Sequence, residues 1–202
     1  CRLAAQELPA IRTALRLAAE GRSDSARKLV EAELRRLRPG ASAYVEALYF
    51  RARLATYGDS AEHDLRRVAI EFSTSRWADD ALLQLAQLAM AAGNSASALA
   101  LAERLRGDYP GSELRARAAF WAGRAAFEVG EPHAACALLD SAQAEAAGDI
   151  EFANQVVFYR ARCAGLAPTS VAAESARAAP GPAPAVRDFS PPPRPGAPPA
   201  DS

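Results

Sequence analysis

An all-α chain, arranged as a solenoid of about four helical hairpins with a C-terminal capping helix and a disordered proline-rich tail, is what the sequence predicts, and three observations predict it. A 37-residue unit occurs twice in succession over residues 75–148 with its small residues in register: Ala86 falls on Gly123, Gly93 on Gly130 and Ala98 on Ala135. Within each unit apolar residues recur three and four apart on both sides of the central glycine, the spacing of one helix face. Hydrophobic residues make up 50% of the chain, chiefly alanine and leucine with few β-branched side chains, which favours helix over sheet. At 202 residues the chain has room for one such folded body and hardly for two large domains.

The unit 75–111 shows the logic of a repeat. Leu82, Leu85, Ala86 and Ala89 mark the inner stripe of a first helix, Gly93-Asn94 the turn, and Ala98, Leu101, Ala102 and Leu105 the stripe of a second. A small residue midway along the first helix and early in the second lets the two approach closely. Tyr109-Pro110-Gly111 ends the second helix, because proline cannot continue it. Ser112-Glu113 is then expected to cap the next helix, with a hydroxyl and a first-turn acid.

Upstream, Pro9 suits a first helical turn, and Ile11, Ala14, Leu15, Leu17 and Ala18 form the stripe that Gly21 breaks. Ser23-Asp24 is expected to cap a helix carrying Ala26, Leu29, Val30, Leu34 and Leu37, which Pro39-Gly40 stops. Tyr44 to Thr56 makes the next first helix, with Gly58 as its turn. A capping-box-like start at Asp59–Glu62 then leads into Ala61, Leu65, Val68, Ala69 and Phe72. The glycines at 21, 58, 93 and 130 are unevenly spaced, which places a two-residue shortening in the second helix of that repeat or the loop after it. The chain thus divides into a tether at 1–8, repeats at 9–40, 41–74, 75–111 and 112–148, a capping helix at 149–165, and an alanine- and proline-rich linker or tail at 166–202. In the tail, 169–179 reads as a weak helix. Residues 180–202 hold nine of the fourteen prolines and almost nothing to bury, a spacer in which Pro192-Pro193-Arg194-Pro195 has the form of a polyproline ligand.

Equal numbers of basic and acidic residues, 24 of each, leave no overall field to draw in nucleic acid or an anionic membrane. No run of residues approaches the roughly 20 of a membrane-spanning helix. Two histidines, His63 and His133, supply no metal-ligand set, and no phosphate loop, nucleophile elbow or zinc-protease motif occurs. Asp79-Asp80 reads as first-turn acids satisfying a helix dipole, not as a catalytic pair. No enzyme activity, cofactor, metal, nucleic acid or small-molecule substrate is therefore expected.

The recurrent pattern of small residue, turn glycine, early alanine and terminal proline resembles the tetratricopeptide repeat (TPR) family; 75–111 has all four landmarks and 112–148 lacks the proline. Arg76-Trp77-Ala78-Asp79-Asp80-Ala81-Leu82-Leu83 is similar in particular to repeats of bacterial envelope proteins, the BamD-like assembly lipoproteins and the YbgF-like Tol-Pal accessory proteins. The resemblance implies a right-handed superhelix whose first helices line a concave groove for a protein or peptide partner. Carried over position by position, that groove presents Leu83, Gln87 and Met90, then Arg117, Phe120, Arg124 and Phe127. These residues have the composition of an interface hot spot and place the ligand in the C-terminal half. Phe120 and Phe127 read equally well as packing between repeats.

Cys1 occupies the position that lipoprotein signal cleavage leaves at a mature N-terminus, which would anchor the chain by lipid to the periplasmic face of the outer membrane; an arbitrary boundary is the other reading. Cys136 and Cys163 either form a disulfide in an oxidising compartment or are two small buried side chains, and a Cα separation above about 7 Å would exclude the bridge. The function expected is a non-enzymatic envelope adaptor, in outer-membrane assembly or Tol-Pal and peptidoglycan coordination. The alternatives are a scaffold without lipid and the targeting arm of a longer protein.

Overall fold

The computed structural model describes residues 8–146 and 148–166; Cys1 and its expected tether, the weak helix expected at 169–179 and the proline-rich stretch 180–202 lie outside these. Among the described residues there are nine α-helices and no strand. They are α1 (Pro9–Ala19), α2 (Ser23–Arg36), α3 (Ser42–Arg53), α4 (Gly58–Glu71), α5 (Ala78–Ala91), α6 (Ser95–Asp108), α7 (Arg115–Glu128), α8 (Pro132–Glu145) and α9 (Ile150–Arg160), which a single 3-10 turn, Ala161–Cys163, follows. Each helix packs mainly on its neighbours in sequence, and α5 also touches α7, the contact pattern of stacked hairpins. The odd-numbered helices are the first (A) and the even-numbered ones the second (B) of each hairpin.

The close approach expected at the small residues is present. Ala14, Ala26, Ala86, Ala98 and Ala135 are completely buried. A Cβ on Gly123 would lie 2.9 Å from Leu139 Cγ and 3.1 Å from the carbonyl oxygen of Ala135, so only glycine fits the α7–α8 contact without displacement. Three hairpins turn by one device. At Gly93 (φ +76°) the glycine N–H bonds to Met90 O and the Asn94 N–H to Ala89 O, and the same pair of bonds recurs around Gly21 and Gly130.

The second hairpin departs from this, and the departure corrects the reading of Gly58. That glycine is the first residue of α4 and has no positive φ; the turn is Leu54–Tyr57, with no left-handed residue. No glycine follows Arg53, so α3 runs 42–53 rather than 44–56, and Leu54 caps it in an ordinary right-handed conformation. The expected shortening of the second helix or its following loop is also corrected, because α4 has 14 residues like α6 and α8, and their starts at 58, 95 and 132 are evenly spaced. The irregularity sits in the A–B turn itself.

Several caps also differ from expectation. The glycine turn at 21 leaves a single residue before α2, so Arg22 is its N-cap and Ser23 is already helical. Tyr57, without a side-chain bond, precedes α4 in place of the expected capping box. Ser112 lies outside α7, whose N-cap is Leu114; its hydroxyl donates to Asp79 Oδ2 (2.6 Å) and accepts the Leu114 N–H (3.1 Å), tying the fourth repeat to the third. Side-chain caps do form at Asn94, which accepts from Ser97 N–H, and at Asp149, which accepts from Phe152 N–H.

Two apolar clusters make the core. One runs from α1 to α7, and the other joins α7, α8 and α9 through Phe120, Leu139, Ala142, Phe152 and Val156. Among the described residues no helix is long and apolar enough to cross a membrane.

Candidate functional site

The phase of each A helix follows from its buried residues. On α5, burial of Ala78, Ala81, Leu82, Leu83, Leu85 and Ala86 leaves Asp80, Gln84, Gln87 and Ala91 along the accessible side, four, three and four residues apart. The matching stripe on α7 is Arg117, Trp121, Arg124 and Glu128, and on α3 it includes Arg53. This face is the candidate site.

Two of the seven expected groove residues are core, which corrects their placement. Leu83 (7% exposed) shares the first apolar cluster with Ala118 and Ala122 of α7. Phe120 (2% exposed) is enclosed edge-to-face by Phe152 at 5.7 Å and Tyr159 at 5.2 Å, because α9 lies over that side of α7. The arginines expected to meet a ligand are drawn into the same seam. Arg117 pairs with Asp149 (2.9 Å) and covers the Phe152 ring, and Arg124 sits 4.5 Å from the Trp121 ring centre and 4.7 Å from that of Tyr159. Phe127 is half-buried beneath Arg162, at 4.1 Å. Gln87 and Met90 are half-buried on α5.

A polar cluster, unforeseen from the sequence, joins α3 to α5. The Gln84 amide donates to the Tyr49 hydroxyl at 2.6 Å, and that hydroxyl faces Asp80 Oδ1 at 3.4 Å. Trp77 stacks on the Tyr49 ring at 4.8 Å. Burial raises the Asp80 carboxyl to about 6 and the adjacent Asp79 adds to the effect, against the Tyr49 bond and the charges of Arg53 and Arg76, which lower it. Burial likewise pushes the Tyr49 hydroxyl above its ordinary value. Beneath them the buried Glu46 accepts the Leu8 N–H (3.0 Å) and pairs with Arg76 (3.4 Å).

Two clefts flank the irregular α3–α4 turn and share Ala55, Thr56 and Tyr57 as a partition. One, of about 550 Å³, has an apolar floor of Leu65, Leu88 and Ala61 with Arg53, Gln84 and Gln87 at its rim, and continues the A-helix face. The other, of about 490 Å³, lies among Arg27, Glu31, Arg51, His63 and Asp64, where Arg51 holds Asp64 through both carboxylate oxygens (2.6 and 2.7 Å). Tyr57 is 75% exposed between them. These two recesses are built from residues of the first three repeats. The chemistry they offer is amide and guanidinium hydrogen bonding over an apolar floor, suited to recognition.

Cys136 and Cys163 are joined as a disulfide with Cα atoms 5.9 Å apart, fixing the segment after α9 to the start of α8. Of the accessible residues, Arg53, Gln84 and Trp121 were missed: Gln87, Arg117 and Arg124 belong to both stripes, whereas the expected Leu83, Met90, Phe120 and Phe127 each lie one residue before Gln84, Ala91, Trp121 and Glu128 of the open face. The run Asp80-x-x-x-Gln84-x-x-Gln87 is itself a polar stripe at helical spacing, and was the signal available.

Solved structures resemble this arrangement. A kinesin-light-chain-type protein of Podosopora anserina built of nearly identical TPR-like repeats aligns with 76% of this chain and 82% of its own, at a TM-score of 0.59 and 20% identity. A single-substitution variant of that protein aligns over 83% and 95%, at 0.55 and 18%. At such identity the likeness establishes the fold, a TPR-like α-solenoid. No protein-family model and no curated protein matches the chain.

Proposed function

We propose that the chain is a non-enzymatic scaffold of the bacterial cell envelope that takes a peptide or a helix of a partner protein along the Asp80–Gln84–Gln87 face of its A helices. The observation that carries the binding role is the open cleft of Arg53, Gln84 and Gln87 over Leu65 and Leu88, set on rigid helices of a fold that typically serves as a scaffold. Support for the compartment comes from the Cys136–Cys163 disulfide, since such bonds persist mainly outside the reducing cytoplasm. The BamD-like and YbgF-like phrasing of 76–83 supports a place at the outer membrane and a part in outer-membrane assembly or Tol-Pal coordination. A photo-crosslinking residue at Gln87 should trap a defined protein partner in cells, while the same residue at Arg66, on the outer side of α4, should not. Equal adducts at both positions, or none at Gln87, would refute the groove.

A further inference from the structure

A tyrosine hydroxyl has a single proton to give, so a buried one placed between two polar side chains makes the polarity of each depend on the other. Tyr49, buried on α3, stands in that position. Its oxygen accepts from Gln84 Nε2 at 2.6 Å, and its proton is directed at Asp80 Oδ1 at 3.4 Å. Among the described residues no other hydrogen bond reaches the Asp80 carboxyl or the Gln84 amide. Gln84 Oε1 is not buried, and its residue lines the cleft of about 550 Å³ floored by Leu65 and Leu88. Trp77, stacked on the Tyr49 ring at 4.8 Å, and Phe50, edge-on at 5.2 Å, hold the ring in place. Only the O–H is free to turn.

We infer that Asp80, Tyr49 and Gln84 form a relay through which protonation of Asp80 sets the hydrogen-bonding polarity that Gln84 presents to the cleft. The relay rests on the reading of this cleft as a recognition site. With Asp80 ionised, its carboxylate takes the Tyr49 proton, the Tyr49 oxygen holds Gln84 Nε2, and Gln84 offers its carbonyl oxygen to a ligand N–H. When Asp80 takes a proton from solvent it becomes a donor, and the Tyr49 oxygen is its one partner in reach. The Tyr49 O–H must then find another acceptor, because a buried O–H without one is costly. Gln84 supplies it by rotating its amide, which brings Oε1 inward and turns the NH₂ group toward the cleft. One proton is gained from solvent in all, and Tyr49 and Gln84 keep theirs. A ligand carbonyl or carboxylate is then favoured over an N–H. The ionisable groups facing Asp80 are Tyr49 and Arg53 of α3, the adjacent Asp79, and Arg76 just before α5. Burial and then Asp79 place the titration near pH 6, against the Tyr49 bond and the two arginines, a range that an ordinary aspartate does not reach.

Nuclear magnetic resonance of the full chain tests the relay without a ligand, so it can fail while crosslinking at Gln87 succeeds, and the reverse. Between about pH 7.5 and about pH 5 the Gln84 side-chain NH₂ signals should shift with a midpoint near 6. Their through-space contact with the Tyr49 ring should be present at the upper pH and lost at the lower. Tyr49→Phe cuts the relay, so the Asp80 carboxyl carbon should still titrate while the Gln84 signals stand still. Asp80→Asn should likewise hold the Gln84 signals at one position across the range. Circular dichroism melts verify that both variants fold; if Tyr49→Phe does not, Asp80→Asn decides. Gln84 signals that do not move in the unaltered chain, that move as much in either variant, or that keep their contact with the Tyr49 ring at the lower pH would each overturn the relay.

Discussion

Removing the Cys136–Cys163 bridge should release the C-terminal end of the stack. The two cysteines are 27 residues apart, and closing a loop of that length in the unfolded chain stabilises the fold by about 3.5 kcal/mol at 25 °C in the chain-entropy description. For a solenoid of this size that corresponds to a fall in Tm of roughly 7–14 °C if the loss is felt throughout. The effect should centre on α9, since Phe152, Val156 and Tyr159 hold it to α7 while nothing among the described residues packs beyond it. The assay is thermal unfolding of the protein and of Cys136→Ala/Cys163→Ala, each with and without reductant, followed by circular dichroism and by the fluorescence of Trp121, which lies at this seam. Reductant should lower the Tm of the protein to that of the double variant and leave the variant unmoved. Four superimposable melts would show that packing of Phe120 against α9 alone supplies the stability of this end, and the entropic argument would fail.

Asp80 supplies a prediction with a definite pH window. Its folded value, about 6, lies above the ordinary aspartate value near 4, so this carboxyl favours the fold below about pH 4, and that contribution is lost as pH rises through 6. Asp80→Asn, which keeps a hydrogen-bond partner for Tyr49, should therefore raise stability by about 1–2 kcal/mol at pH 7.5, allowing for partial exposure, and by nothing at pH 4; an equal shift at both would refute the titration. Gly123→Ala gains about 1 kcal/mol of helix propensity but forces a Cβ onto fully buried Leu139 and the Ala135 carbonyl, for a net loss of about 1 kcal/mol. Gly107→Ala, in α6 with open space at its Cβ, should gain about that much. Differential scanning calorimetry distinguishes them, and shifts of the same sign would undermine the close-contact account of the hairpins.

What was legible in the sequence was what local sterics determine. Alanine or glycine at 14, 26, 86, 98, 123 and 135 and the turn glycines at 21, 93 and 130 declare the hairpins, because no larger side chain fits a close helix contact and only glycine is at ease in the left-handed turn. Gly58 misled, since a glycine at the right interval carries no label saying whether its φ is positive. Ser23 and Ser112 misled for a related reason: a capping residue is defined by where the preceding turn ends, and that is a tertiary fact. The site was less legible. Phe120 and Arg124 have the composition of a hot spot, but what they face is set by the closing helix, whose position depends on contacts from residues 30 or more places downstream. The spacing of Cys136 and Cys163 left bridge and free thiols both open, because only the separation of the two backbones decides between them.

The α3–α4 turn has a consequence for the mechanics of the stack. Elsewhere each hairpin is closed by an identical three-residue staple, so neighbouring units behave as copies of one stiff part. Leu54–Tyr57 interrupts that uniformity with a longer link that has no staple and recesses on both sides. Bending strain applied along the rod should collect there rather than spread evenly. A cargo wedged beside Tyr57 would then set the angle between the front and rear of the molecule, turning occupancy of a cleft into a change of curvature.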